Sequence, residues 1–151
     1  MGTPRIGAVS YLNARTLVAP LEGRPDLEVV SAVPAALADA MAAGRLDAAL
    51  LPVVEAVRDP AWRAVDGVGI GSDGPVRSVL LHLRRPAGQV ATLAPDPASR
   101  TSNVLARLLL ARRGSRPRLL PPLPAGGSGE ADASPDAAGV IGDPAFRGQE
   151  G

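Results

Sequence analysis

Residues Arg5 to Leu51, RIGAVSYLNARTLVAPLEGRPDLEVVSAVPAALADAMAAGRLDAALL, decide the fold. Arg5 to Val9 is short and apolar and ends at Ser10, which reads as a strand. Ala14 to Leu21 then has room for two helical turns before Gly23 and Pro25 stop it. Leu27 to Val33 reads as a second strand. Pro34 opens a helix at a position where its missing N–H costs nothing. Leu37, Ala40, Met41 and Ala43 give that helix an apolar side and Gly44 closes it. Asp47 to Leu51 reads as a short buried strand stopped by Pro52, and Val53 to Arg58 as a short helix. The alternation β-α-β-α-β predicts an α/β protein with a parallel or mostly parallel sheet covered by helices.

Farther along, Gly71 to Leu83, GSDGPVRSVLLHL, lifts a Gly/Asp/Pro turn into an apolar run. It predicts a buried strand with a polar mouth at Arg77 and Ser78, the place where α/β proteins hold ligands. The plainer reading is a surface turn that ends in two polar residues. After Arg84-Arg85-Pro86 a second unit repeats the plan: a strand over Val90 to Leu93, a polar turn over Ala94 to Arg100, and a helix over Thr101 to Arg113 with Val104, Leu105, Leu108 and Leu109 on its apolar side. Gly114 caps it. Ser99, Thr101 and Ser102 crowd the helix start beside Arg100, a suitable anion site of N–H groups, hydroxyls and one guanidinium. Capping alone accounts for one or two of them. The junction at Ser10, Tyr11, Leu12 and Asn13, where a strand runs straight into a helix, offers backbone N–H groups in the same way. Leu119 to Leu123 reads as a strand fragment, residues 121–138 as a flexible Pro/Gly-rich loop, and Gly139 to Ile141 as a last strand before the Gly142-Asp143-Pro144 turn.

Composition narrows the chemistry. With 151 residues, 46% hydrophobic and 21% charged, the chain is globular, forming one domain or two small lobes. A net charge of +1 gives no general electrostatic reason to bind nucleic acid or an anionic membrane. Every basic residue is arginine, which excludes a Schiff-base lysine; there is no cysteine and His82 is the only histidine, which excludes thiol chemistry, disulfides and Cys/His zinc sites. No spacing indicates a metal or an organic cofactor. The N-terminus has no signal-peptide pattern and no apolar run approaches the ~20 residues that span a bilayer, so the expectation is a cytoplasmic chain.

SYLNA at 10–14, LADAMAAGRLDAALLPVVE at 37–55, SDGPVRSVLL at 72–81, DPASRTSN at 96–103 and VIGDPAF at 140–146 follow the order and spacing of one family: the chain resembles the chorismate dehydratases of the futalosine route to menaquinone. The resemblance implies a fold like a type II periplasmic binding protein, two α/β lobes with mixed sheets and a ligand cleft. Residues 1–84 would form the first lobe and 85–151 part of the second, since family members run to nearly twice this length. It implies elimination of water from chorismate to give 3-[(1-carboxyvinyl)oxy]benzoate, without a cofactor. Asn13 and Ser78 are then the catalytic candidates. Ser10, Tyr11, Arg77, Ser99, Arg100, Thr101, Ser102 and Asp143 would bind substrate. No carboxylate or histidine base stands out in these motifs, so the enolpyruvyl carboxylate of the substrate is expected to take the proton. His82 alternates onto the face of Ser78, although the resemblance asks for no histidine there. Glu55 has the plainer reading of a structural pair. The competing expectations are a small-carboxylate-binding module of the same fold and an inactive fragment of the enzyme. Apolar surface left uncovered by half a two-lobed protein would favour self-association.

Overall fold

A computed structural model describes residues 2–122 and 134–147. The chain divides into two compact units, Met1–Pro75 and Val76–Gly151.

In the first unit β1 (Arg5–Val9) lies between β2 (Glu28–Ala32) and β3 (Ala48–Ala49), all parallel. This sheet is parallel throughout, as the β-α-β-α-β alternation predicts; mixed pairing is found in the second unit. The regular pairing of β3 covers only two residues, but Asp47 N–H bonds to Arg5 O at 2.9 Å and Leu50 N–H to Gly7 O at 3.0 Å, so the segment keeps to β1 over the length the sequence predicts. Asp47 also accepts the Arg5 N–H on Oδ2 at 2.7 Å. The run predicted as one helix is α1 (Arg15–Val18) with a 3-10 turn on each side, Leu12–Ala14 and Ala19–Leu21. Pro20 in the last turn cannot donate a helical hydrogen bond, which limits the α-helix to a single turn.

Helix α2 (Pro34–Ala42) ends in a Schellman turn: Gly44, at φ +66°, donates to Met41 O at 2.9 Å and Arg45 donates to Ala40 O at 2.9 Å. Its Leu37 and Ala38 are buried against the sheet. Ala8, Ala14 and Val18 are buried together, with Val9, Val29 and Leu50 packed against them. Gly7, in the central strand, passes so close to its neighbours that an added Cβ would lie 2.7 Å from Ala49 Cβ and 2.8 Å from Leu46 Cδ1. The short helix α3 (Val53–Arg58) follows.

The second unit holds β4 (Val79–Leu83), β5 (Thr92–Ala94), β6 (Arg118–Leu119) and β7 (Ala137–Ile141), with helix α4 (Thr101–Arg112) and a last turn, α5 (Pro144–Arg147). The sheet order is β4-β7-β5-β6, with β4 antiparallel to β7 and the other pairs parallel. β4 pairs with β7, so Val79–Leu83 lies in the second compact unit and Arg84-Arg85-Pro86 is a turn inside it. The sheet order corrects the burial of the GPVRSVLLHL run. Among the described residues β4 is an edge strand, with Val79 40% and Leu83 44% exposed.

Helix α4 turns a different face inward from the one predicted. Ala106 and Leu110 are buried with Val90, Leu93 and Ala137, whereas Leu105, Leu108 and Leu109 are about half exposed. The close approach of helix to sheet is made on the side carrying the small Ala106, and the three leucines lie around the helix from it. Gly114, at φ +86°, caps the helix as expected, donating to Ala111 O, while Ser115 donates to Leu110 O.

Of the loop predicted over 121–138, residues 123–133 lie outside the described residues, and Ala137 and Ala138 are already strand. The strand starts early because Asp136 is fastened in place. Its Oδ2 accepts the N–H groups of Ala91 at 2.9 Å and Thr92 at 3.1 Å, and its Oδ1 accepts Arg85 Nε at 2.7 Å. Its own N–H donates to Thr92 Oγ1 at 2.9 Å. These bonds, that from Ala91 first and then the Arg85 guanidinium, hold the Asp136 carboxyl below its ordinary value of 3.8. A carboxyl lowered by folding stabilises the fold fully above its ordinary value, and that contribution is lost as the pH falls through the lowered one. Thermal melts against pH should therefore show the natural chain losing stability in acid below about pH 4. Asp136→Asn should melt lower near neutrality and show a smaller loss in acid; identical curves for the two chains would mean that the network does not support the sheet.

Candidate functional site

The expected site residues of the first unit follow the carboxyl end of β1. Ser10 and Asn13 are exposed and Tyr11 is half-buried. Asn13 sits in the 3-10 turn Leu12–Ala14. The backbone at this junction is less open than predicted. Ser10 N–H donates to Ala32 O at 3.1 Å and Ala14 N–H to Tyr11 O at 3.0 Å. Any anion here would thus depend on side chains more than on a row of backbone donors.

In the second unit three separate motifs meet at one end of the sheet. β4 begins where β7 ends, with Val79 opposite Ile141, and Ser78 O accepts the Gly142 N–H at 2.8 Å. β5 runs parallel to β7, so the turn that leaves β5 emerges at the same end. That turn is tied to β7 by Asp96, whose Oδ2 accepts the Ile141 N–H at 2.8 Å while its Oδ1 accepts the Ala98 N–H at 2.8 Å. Asn103, in the first turn of α4, holds the Asp96 backbone from both sides: its Oδ1 accepts the Asp96 N–H at 3.0 Å and its Nδ2 donates to Asp96 O at 2.8 Å. The same amide also donates to Ser99 O.

Ser78, Asp143 and the Asp96-to-Asn103 segment are thereby gathered at the carboxyl ends of two parallel strands, the usual place for a ligand in α/β sheets. Ser78 is half-buried there, and Arg77 and Asp143 are exposed. Arg100, Thr101 and Ser102 are half-buried at the start of α4.

Ser99 has a different part from the one expected. It is 6% exposed and its Oγ accepts the Ser102 N–H at 3.1 Å, so this hydroxyl caps α4. Its capping also takes one N–H from the donors available to an anion. His82 is exposed on β4 opposite Ala138, roughly 13 Å from Ser78 at about 3.3 Å per strand residue. Sharing a face with Ser78 therefore does not bring the two within hydrogen-bonding reach. Glu55 pairs with Arg58 at 3.3 Å in the first unit, the structural role read from the sequence. Among the described residues no three His, Cys, Asp or Glu side chains gather as a metal site requires.

Asp96 and Asn103 are the residues the candidate list lacked. Both stand in the quoted DPASRTSN segment. The signal was an Asp before a proline and an Asn in a first helical turn, residue types that bond to nearby backbone. Their polar groups organise the turn and are spent on backbone partners.

Both units are of the α/β class, with parallel strands and polar loops at strand carboxyl ends. A family profile described as menaquinone biosynthesis matches residues 4–151, and the chain belongs to that family. Its role thus lies in menaquinone biosynthesis, in agreement with the sequence resemblance. No curated protein matches the chain. Among the described residues no helix is long and apolar enough to cross a membrane.

Proposed function

We propose that the chain belongs to a chorismate dehydratase, a hydro-lyase of the futalosine route with a fold like that of type II periplasmic binding proteins. The observation that carries this reading is the gathering of Ser78, the DPASRTSN turn and the start of α4 at one end of a sheet, in a chain of the menaquinone biosynthesis family.

Chorismate carries two carboxylates, a ring hydroxyl and, on the neighbouring ring carbon, a proton. Elimination breaks that C–H bond, its electron pair becomes a ring double bond, and the C–O bond breaks with its electrons on the departing hydroxyl. The hydroxyl leaves as water after gaining a proton, and the ring becomes aromatic. Aromatisation makes the step strongly downhill, so the protein's tasks are orientation and proton transfer.

Arg100, Thr101 and Ser102 supply the cation and hydroxyls that would take a substrate carboxylate. Ser78 would hydrogen-bond the departing hydroxyl and relay a proton to it. Asn13 has the part of a hydrogen-bonding partner for a carboxylate or for the leaving group. The Asp96 carboxylate already accepts two backbone N–H groups, a use that favours structure over base catalysis. That leaves removal of the ring proton to the enolpyruvyl carboxylate of chorismate itself.

The test is to incubate the purified 151-residue chain with chorismate and follow the products by mass spectrometry. Appearance of an aromatic product lacking one water supports the dehydratase. Saturable binding of chorismate without turnover, measured by calorimetry, would replace it with the carboxylate-binding module, and absence of both would overturn the assignment for this chain.

A further inference from the structure

We infer that Asp96 is a positioning residue for Ser78, acting through the end of β7. The inference rests on the dehydratase reading for its effect on turnover, but the coupling itself is a property of the second unit.

One carboxylate fixes two heights at once. Through Oδ1 on Ala98 N–H it shapes the turn that leads into α4, and through Oδ2 on Ile141 N–H it holds the last residue of β7 against that turn, each at 2.8 Å. Ile141 is buried, so its N–H has little access to water as a substitute partner. The next residue, Gly142, donates to Ser78 O at 2.8 Å. The path from the carboxylate to Ser78 thus needs one side-chain bond, one peptide unit and one backbone bond. Asn103 prevents Asp96 from drifting, since it bonds both the N–H and the carbonyl of that residue. β7 passes close beneath the pair: a Cβ placed on Gly139 would stand 3.7 Å from both Asn103 Oδ1 and Asp96 N. Beyond the strand pairing, Asp96 is thus the side chain that ties the Ser78 end of β4 to the turn leading into α4, although it touches no substrate itself.

Asp96→Asn tests this with little change of shape. The amide keeps one acceptor oxygen but turns an NH2 group toward one of the two N–H donors, so one of the ties must break. Hydrogen exchange read amide by amide should speed up at Ile141 and Gly142 and stay unchanged at Ala91 and Thr92, which Asp136 holds at the opposite end of the sheet. With chorismate, kcat should fall by up to about a hundredfold, as a displacement of a reacting group by an ångström does, with KM changing much less. In a Ser78→Ala background the same substitution should lower kcat no further, because the residue acts through Ser78.

Exchange that rises equally across the sheet, or that leaves Gly142 unchanged, overturns the coupling. An undiminished effect in the Ser78→Ala background overturns the positioning role. If the chain does not convert chorismate, the dehydratase reading fails separately, and the exchange measurement still decides the coupling. Should Asp96→Asn fail to fold, Asp96→Glu, with the charge and both acceptor oxygens one methylene farther out, is examined by the same readouts.

Discussion

Replacing Gly7 by valine will unfold the first unit under conditions in which the natural chain stays folded. Gly7 is in the central strand of the three, and the space where a side chain would go is already filled by Ala49, Leu46 and Leu37. A Cβ alone would come within 2.7 Å of Ala49 Cβ, an atom fixed directly to the backbone of β3, so the contact is relieved only by moving that strand. Leu46 and Leu37 are buried and have little room to turn aside. Overpacking by an extra methylene or two costs about 1–3 kcal/mol in a well-packed core, and the two further methyl groups of valine press on the same wall. Against a total stability of about 5–15 kcal/mol that is a large part of the margin. Urea unfolding followed by circular dichroism should show Gly7→Ala with a lowered midpoint and Gly7→Val with the lower of the two. A midpoint unchanged in Gly7→Val would mean that β1 and β3 separate at almost no energetic expense.

Ser78→Ala should lower chorismate turnover by about 10²–10⁴-fold, the usual scale for losing a proton-transferring group, and leave the melting temperature nearly unchanged. The two expectations separate because the structural and chemical parts of this residue lie on different atoms. Its carbonyl holds Gly142, and alanine keeps that bond. The hydroxyl, the only group the substitution removes, is the one assigned to the departing water. Turnover within twofold of the natural chain would remove Ser78 from the mechanism, and a large fall in melting temperature would show that its hydroxyl supports the fold.

What could be read from the sequence was what the chain settles locally. Pro34 and Gly44 bracket α2 within a residue or two, and Gly114 closes α4 as predicted, because capping depends on a few adjacent residues. The alternation from Arg5 to Leu51 predicted the parallel sheet, since a helix between successive strands returns each strand parallel to the same sheet, even for β3, which pairs with β1 across the whole unit. The errors lie where the partner is distant. Val79–Leu83 looks like an interior strand by composition, but its one strand neighbour among the described residues is Ala137–Ile141, and nothing near residue 80 signals an edge position. The leucines of α4 outshine Ala106 in any count of hydrophobicity, while proximity to the sheet rewards the smaller side chain. At the candidate site Ser78 and the DPASRTSN segment were visible as polar residues at strand and helix boundaries. Asp96 was not, because its most informative partner, Ile141, is far along the chain. Asp136 was read as part of a Pro/Gly/Ala-rich loop for the same reason: its role is defined by Ala91 and Thr92.

The place of β7 in its sheet has a consequence for how the protein is made. In the first unit the strands are completed by residue 49, so a chain emerging from the ribosome can assemble that sheet while the rest is still being translated. In the second, β7 follows the unit's other described strands in sequence but stands between β4 and β5. Those two have no described pairing with each other and must wait for Ile141 to be synthesised. During that interval β5 can pair with β6 and pack on α4, but β4 has no strand partner among the described residues, and its apolar side chains are what a chaperone would have to protect.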